Sequence, residues 1–240
     1  MELPIFSDNL RSSAAWSVAL GREREQWQQA QASAEAQAQL DARLRALQVQ
    51  ESIKRAALSV PEPQTDEREN FLRAARLIST WAAQPEAVLT VERVTELYRV
   101  LAGIGAEEEV FRQTETQPLA PGHNPAPAII LPRLLENAFD WFTAPSFAEI
   151  HVVEQAALVH LRLLDLQPFA THHEQTALLA ASFYTERALW PPLIIYADEA
   201  STARYTAAMS AAFRMLTQPL VEFFAENLAQ TIKHLTGAER

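Results

Sequence analysis

The stretch Val152–Ala180 has the sequence VVEQAALVHLRLLDLQPFATHHEQTALLA. Apolar residues dominate both of its halves, and a short break around Gln167–Ala170 separates them. The pattern predicts one helix over Phe147–Leu166 and a second over Thr171–Ala188. Two consecutive helices that meet at a short break favour a helical domain.

Helical patterns continue on both sides of this stretch. From about Asn9 to Val60 good helix formers occur without an internal proline, and Pro61 and Pro63 then mark a connector. Further helices are predicted at Glu67–Trp81, at about Leu89–Leu101 with Thr90 as its cap, and at Leu134–Trp141, Pro192–Tyr196, Ala200–Leu216 and Pro219–Leu235. The expected fold class is all-α, with an N-terminal helical extension over 1–64 and a core domain over 65–240.

One segment, Gly103–Pro132, lacks helical periodicity. It contains five prolines and Gly122, together with the short extended runs Val110–Thr116 and Ala128–Leu131. We expect an irregular loop or a small β-hairpin, which inside a helical protein is usually on the surface and often functional.

Composition excludes several classes of function. The formal charge of −10 repels phosphate backbones, so a nucleic-acid partner is not expected. The chain has no cysteine, and only five glycines, none of them between His123 and Thr236, so glycine-rich phosphate loops are excluded. No apolar run approaches the length of a membrane span, and no export signal is visible. The expected location is the cytoplasm.

The stretch quoted above resembles the core of the Fic (Fido) family, in which a helix ending in His-Pro-Phe leads to Asp/Glu-Gly-Asn-Gly-Arg and a second helix. The register is kept without a gap. The resemblance extends over about residues 65–235. The matching residues in the stretch are Ala156, Ala157, Leu158, His160, Pro168 and Phe169.

The resemblance implies transfer of AMP from ATP to a protein hydroxyl, with a motif His as general base and an acidic residue holding Mg²⁺. These two positions are Gln167 and Thr171 here. A carboxamide has no useful basicity near neutral pH, and a lone hydroxyl is a poor Mg²⁺ ligand. The positions of the family's phosphate-binding glycines, asparagine and arginines are also changed, to His172, His173, Glu174, Gln175 and Leu178. The motif is therefore eroded, and no ATP or Mg²⁺ is expected to bind unless the chain is a divergent enzyme.

Two local patterns accompany this erosion. Thr171-His172-His173-Glu174 matches a capping box, in which the threonine and glutamate side chains would satisfy the amides that otherwise bind phosphate. The family's inhibitory helix carries Ser-x-x-x-Glu, and its counterpart here, Arg55–Val60, lacks that glutamate. The family's inhibitory glutamate and the motif arginine that it would bind are thus both absent.

The resemblance also identifies the proline-rich segment, with Phe111 and Arg112 before it, as the family's target-docking flap. Its candidate partner-binding residues are Arg112, Pro121, Gly122, Pro125 and Pro127. A rigid connector without a ligand is an equal alternative. A metal site at His172 and His173 is not expected, because adjacent helical residues point about 100° apart, and His160 is expected to be a hydrogen-bonded core histidine.

Three hypotheses follow. The first is a Fic-fold pseudoenzyme, inactive in AMP transfer, that binds a protein partner or self-associates. The second is a divergent transferase of nucleotidyl or other phosphate-bearing groups onto protein hydroxyls, with Thr171, His172 or His173 recruited to the site. The third is a plain helical adaptor, which would have no groove between the helix ends at Phe169 and Thr171.

Overall fold

A computed structural model describes residues 20–57 and 65–237. Ten helices follow one another along these residues, and no extended strand is present among them. They are α1 (residues 20–30), α2 (Ala34–Ala57), α3 (Thr65–Ala82), α4 (Val91–Ala102), α5 (Leu131–Phe142), α6 (Pro145–Ala148), α7 (Val152–Leu166), α8 (His173–Arg187), α9 (Glu199–Ala212) and α10 (Gln218–Thr236). The predicted all-α class is confirmed.

Helices α7 and α8, formed by the quoted stretch, lie at the centre of the fold. Helix α8 packs against α7, α3 and α4, while α10 packs against α9 and α7. Helix α8 is buried along almost its whole length, from Thr176 to Thr185, because neighbours cover it on several sides. The loop between α7 and α8 is therefore held at its two ends by the best-packed part of the molecule.

Helices α3 and α4 form as the sequence pattern predicts. The apolar residues of α4 at intervals of three and four, Val94, Leu97 and Leu101, are all buried. Thr90 caps the helix by accepting from the N–H of Arg93, and Gly103 ends it in the left-handed conformation with φ of 66°. Both ends of α4 are thus determined by local sequence.

The proline-rich segment forms an irregular loop, one of its two predicted alternatives. Its described residues form no hairpin, and one isolated bridge pairs Phe111 with Phe169. The predicted extended run at 128–131 is instead a 3-10 turn, Ala128–Ile130, that leads directly into α5. Pro132 lies at the start of α5, where its missing N–H is not needed.

Two helix predictions need correction. The helix expected over Phe147–Leu166 is divided, because Pro145 begins the short helix α6 and His151 caps α7 by accepting from the N–H of Val153. Residues 192–196 are not helical. Pro191 and Pro192 begin this non-helical segment. The apolar side chains of Leu193, Ile194 and Ile195 are buried.

The N-terminal helices join the same hydrophobic core as the rest of the chain. Trp27 of α1 is only 2% exposed, and Leu44 and Val49 of α2 are equally buried. The helical stretch expected between Asn9 and Val60 is interrupted by a turn at residues 31–33. The predicted helical start at Asn9 and the connector with Pro61 and Pro63 lie outside the described residues.

None of the helices in the described residues combines the length and the apolar character that crossing a membrane requires.

Candidate functional site

A groove of about 680 Å³ opens beside the loop that joins α7 to α8. Its walls come from the end of α2, the start of α8, one face of α9 and the tip of the proline-rich segment. The residues at its centre are Ser52, Arg55, Thr171, His172, His173, Glu174, Gln175, Leu178, Thr202 and Tyr205. The plain adaptor hypothesis expected no groove at this place, and the groove therefore counts against it.

The C-terminal end of α7 is buried and closed to solvent. Gln167 ends the helix in the left-handed conformation with φ of 43°, and its side chain does not line the groove. The residue is 1% exposed, and its side-chain Oε1 has no hydrogen-bond partner in the described part of the chain. A buried carboxamide therefore occupies the position where the resemblance places the general base.

Arg112 closes this helix end from the other side. Its Nε donates to the carbonyl of Gln167 at 2.7 Å, and its Nη1 donates to the carbonyl of Thr114 at 2.8 Å. Nη2 donates to the carbonyl of Ala126. With 5% of its surface exposed, Arg112 anchors the proline-rich segment to α7, and its role in partner binding stays a prediction.

The N-terminal end of α8, in contrast to the end of α7, is not closed by side-chain hydrogen bonds to its backbone. The predicted capping box is wrong: the cap residue is His172, with φ of 55°, and no side chain caps the helix. Thr171 instead hydrogen bonds through Oγ1 with Nδ1 of His172 at 2.8 Å and with the hydroxyl of Tyr98 at 3.3 Å. A positive φ suits glycine, the residue that the ungapped resemblance places at position 172.

Glu174 does not reach back to the helix end because Arg55 of α2 binds it. The guanidinium donates to both carboxylate oxygens, from Nε at 2.6 Å and from Nη2 at 2.8 Å. Beside this pair, Gln175 donates to the hydroxyl of Ser52 at 3.3 Å. Helix α2 thus contacts the start of α8 through a pair whose charges are the inverse of the Glu–Arg contact that the resemblance implies, and whose positions differ from those of that contact. Ser59 and Val60 lie outside the described residues.

A buried polar chain continues behind Glu174. The guanidinium of Arg55 lies 4.8 Å from the ring centre of Tyr205, whose hydroxyl is 2.8 Å from Nε2 of His160. His160 is fully buried, and this burial lowers its pKa to about 4. Burial likewise raises the pKa of Tyr205 above its ordinary range. His160 is a hydrogen-bonded core histidine, as expected from the sequence.

His172 and His173 both line the groove, and burial lowers the pKa of each imidazole. Both rings are therefore neutral near pH 7. In the described residues, no cluster of three or more His, Cys, Asp or Glu side chains suits a metal ion. The described walls of the groove therefore carry no free cation, because both imidazoles are neutral and Arg55 is paired with Glu174.

The remaining candidate residues divide between the groove and the surface. Leu178 lies in the groove wall, 9% exposed. Pro121, Gly122 and Pro127 are exposed, and Pro125 is half-buried. Gly122 has φ of 92°, and a Cβ there would meet the Arg214 side chain at 2.8 Å, so this turn depends on glycine.

The groove residues that sequence reasoning missed include Ser52 and Thr202, and it also missed Tyr98, which contacts the groove residue Thr171. Tyr98 belongs to the buried face of α4 and stacks on Phe169 with ring centres 4.1 Å apart. Only a three-dimensional arrangement joins these residues, because they belong to different helices. No local pattern in the sequence could have identified them.

Sequence comparison finds similarity to curated adenylyltransferases. "Protein adenylyltransferase Fic" of Nematostella vectensis is 24% identical over 196 residues, which cover 80% of this chain and 45% of that protein. "Protein adenylyltransferase fic-1" of Caenorhabditis elegans is 25% identical over 150 residues, 62% of this chain and 29% of that protein. The chain therefore spans less than half the length of these relatives. No family model matches the sequence.

Solved structures show the same fold. Residues 134–508 of Fic-1 from C. elegans superpose with a TM-score of 0.73 at 20% identity, covering 98% of this chain and 74% of that one. A Fic domain containing signaling protein from Bacteroides thetaiotaomicron gives a TM-score of 0.71 at 15% identity, covering 91% of this chain and 96% of that one.

Proposed function

We propose that this chain is a Fic-family protein that no longer transfers AMP and that works by binding a protein partner or by self-association. The Fic fold and the sequence similarity to protein adenylyltransferases support its place in the family. The proposal that the reaction is lost rests on the chemistry of the residues at the groove.

The observation that carries the proposal is Gln167. Proton transfer by a general base typically contributes about 10²- to 10⁴-fold to a rate, and a carboxamide cannot supply it. The residue is also 1% exposed and lies at a helix end closed by Arg112, so a target hydroxyl has no path to it.

The phosphate side of the groove supports the same conclusion. An anion at the start of α8 would meet the carboxylate of Glu174, which already holds the nearby cation Arg55 at 2.6 Å. Thr171 offers one neutral oxygen for a metal ion. ATP with Mg²⁺ fits this arrangement poorly, although the helix end itself lacks a side-chain cap.

The test is a titration of the full chain with Mg-ATP, followed by melting temperature and by calorimetry. We expect neither a saturable rise in melting temperature nor heat of binding. In parallel, ATP labelled at the α-phosphate is incubated with the chain and cell lysate, with the Gln167→His variant as a matched control. Saturable binding, or labelling of a lysate protein by the wild-type chain, contradicts the proposal.

A second candidate, a divergent transferase, is favoured by one specific contact. The hydroxyl of Thr171 lies 2.8 Å from Nδ1 of His172, and burial lowers the pKa of that imidazole, so its neutral form can accept a proton. In this case labelled nucleotide or another phosphate-bearing donor would modify a protein, and His172→Ala would abolish the labelling. Labelling that persists in His172→Ala excludes His172 as the base of such a transferase, and no labelling by the wild-type chain excludes the candidate itself.

A further inference from the structure

A second groove, of about 700 Å³, runs between α2 and α3, away from the α7–α8 loop. Its α2 wall is formed by Ala42, Ala46 and Val49, which recur at intervals of three and four residues, and its α3 wall includes Leu72. Ala42 and Ala46 are exposed. Small side chains on one helix face let another backbone approach closely, so this floor suits a packed helix.

The rim of this α2–α3 groove is positively charged. Arg68 and Arg76 of α3 line it and are exposed, and their side chains make no hydrogen bond or ion pair within the residues that the structure describes. Asp41 is the one acidic residue among the described lining residues. The whole chain carries a formal charge of −10, whereas the rim of this groove is locally positive.

Arg45 of α2 connects the two walls of the groove to each other and to α8. Its guanidinium contacts the carboxylate of Glu186 in α8 at 3.3 Å and the side chains of Gln48 and Ser79. Glu186 lies largely buried, with 11% of its side chain exposed. Because Arg45 is engaged, Arg68 and Arg76 are the cations available to a ligand on the rim.

We propose that the α2–α3 groove is the docking site for an acidic amphipathic helix of a partner protein. Arg68 and Arg76 are eight residues apart on one face of α3, which corresponds to about 12 Å along the helix axis. A docked helix would place an apolar stripe on Ala42, Ala46 and Leu72, and two carboxylates about two turns apart beside the arginines. This inference rests on the proposed function, in which the chain works by binding a protein.

Synthetic helical peptides test the charge and shape requirements. One peptide carries a Leu/Ala stripe with Glu pairs seven to eight residues apart, and a matched peptide carries Lys in place of Glu. We expect the full chain to bind the acidic peptide, and the Arg68→Glu/Arg76→Glu variant to bind it at least about tenfold more weakly, as followed by fluorescence anisotropy. Arg133→Glu, an exposed charge change on α5, should leave the affinity unchanged. No binding, equal binding of the Lys peptide, or equal binding by the double variant overturns the proposal.

A photo-crosslinking amino acid is placed at position 46 instead of Ala46, in cells that produce the chain. The crosslink identifies the protein segment that occupies the α2–α3 groove. The crosslinked segment, sequenced by mass spectrometry, should come from another protein and carry acidic residues two helical turns apart beside an apolar stripe. A crosslink to a second copy, to residues 1–19 of the same chain, or to a basic segment overturns the proposal. Mg-ATP binding at the α7–α8 groove would overturn the proposed function without altering these results, so the two failures are distinguishable.

Discussion

The two helix ends that meet at the α7–α8 loop are stabilised in opposite ways. The end of α7 is closed by the buried guanidinium of Arg112, which donates to the carbonyl of Gln167 and to the proline-rich segment. The start of α8 has no side-chain cap, and its Glu174 binds Arg55 of α2 instead. The comparison teaches that two helix ends joined by one short loop can differ, with a closed hydrogen-bond network at one end and a side-chain contact to a distant helix at the other.

Arg112→Met tests the closed end and should have the largest effect. The variant leaves several carbonyls without their donor, two of them at the buried end of α7, and we expect it to lower the free energy of unfolding by about 3–5 kcal/mol. Urea unfolding measures the loss. Arg133→Met, an exposed arginine, should change stability by less than about 0.5 kcal/mol. A loss below about 1 kcal/mol in Arg112→Met would mean that the α7 end is not held by this residue.

His160 lies in the core, hydrogen bonded to Tyr205, and its pKa makes stability depend on pH. The unfolded chain has a His pKa near 6.5 and the folded chain about 4, so the unfolded state binds more protons between these values. Stability is full above pH 6.5 and falls as pH decreases towards 4, by up to about 3 kcal/mol from this residue. His160→Gln, which can still hydrogen bond to Tyr205, should show a shallower decrease over that range. Equal slopes for both proteins would contradict the buried neutral imidazole.

The Arg55–Glu174 pair tests the open end and should have a smaller effect. With 36% of the Glu174 side chain exposed, solvent screens the interaction, and we expect a coupling of about 1–2 kcal/mol. A double-mutant cycle with Arg55→Met and Glu174→Gln measures it by thermal and urea unfolding. The reversed pair Arg55→Glu/Glu174→Arg should recover part of the loss. Additive single effects would show that α2 does not hold α8 through this contact.

The smallest effect concerns the backbone at His172. Its φ of 55° is tolerated better by asparagine than by histidine, and asparagine is also a favourable cap. His172→Asn should raise the free energy of unfolding by a few tenths of a kcal/mol, measured by urea unfolding. His173→Asn, at a position inside the helix, serves as the control and should not be stabilising. A clear destabilisation in His172→Asn would show that the contact of its ring with Thr171 outweighs the backbone gain.

Local patterns predicted the helices well. The three-and-four spacing in α4 and the cap at Thr90 depend on residues within one or two turns, so both were correct. The capping box at Thr171–Glu174 satisfied the same local criteria and failed. Its glutamate is bound by Arg55, 119 residues earlier in the chain, which a local pattern cannot reveal.

Of the two alternatives predicted for the proline-rich segment, the irregular loop forms and the hairpin does not. Its extended residues have no neighbouring strand to pair with, and Arg112 holds the segment through side-chain contacts with residues 166 and 167. Frequent prolines remove the N–H donors that a ladder would need. The candidate residues Pro121 and Gly122 were correctly expected on the surface, and their role in binding stays a prediction.

By itself, the sequence determined the all-α class, most helix positions and the absence of a histidine and an acidic residue at positions 167 and 171, because periodicity and residue chemistry are local properties. Only the tertiary structure decided that Gln167 is buried under Arg112, that Glu174 binds Arg55 and that Arg68 and Arg76 border the α2–α3 groove. These outcomes depend on which helices lie next to each other, and packing between distant segments sets the solvent exposure and the partner of each charge.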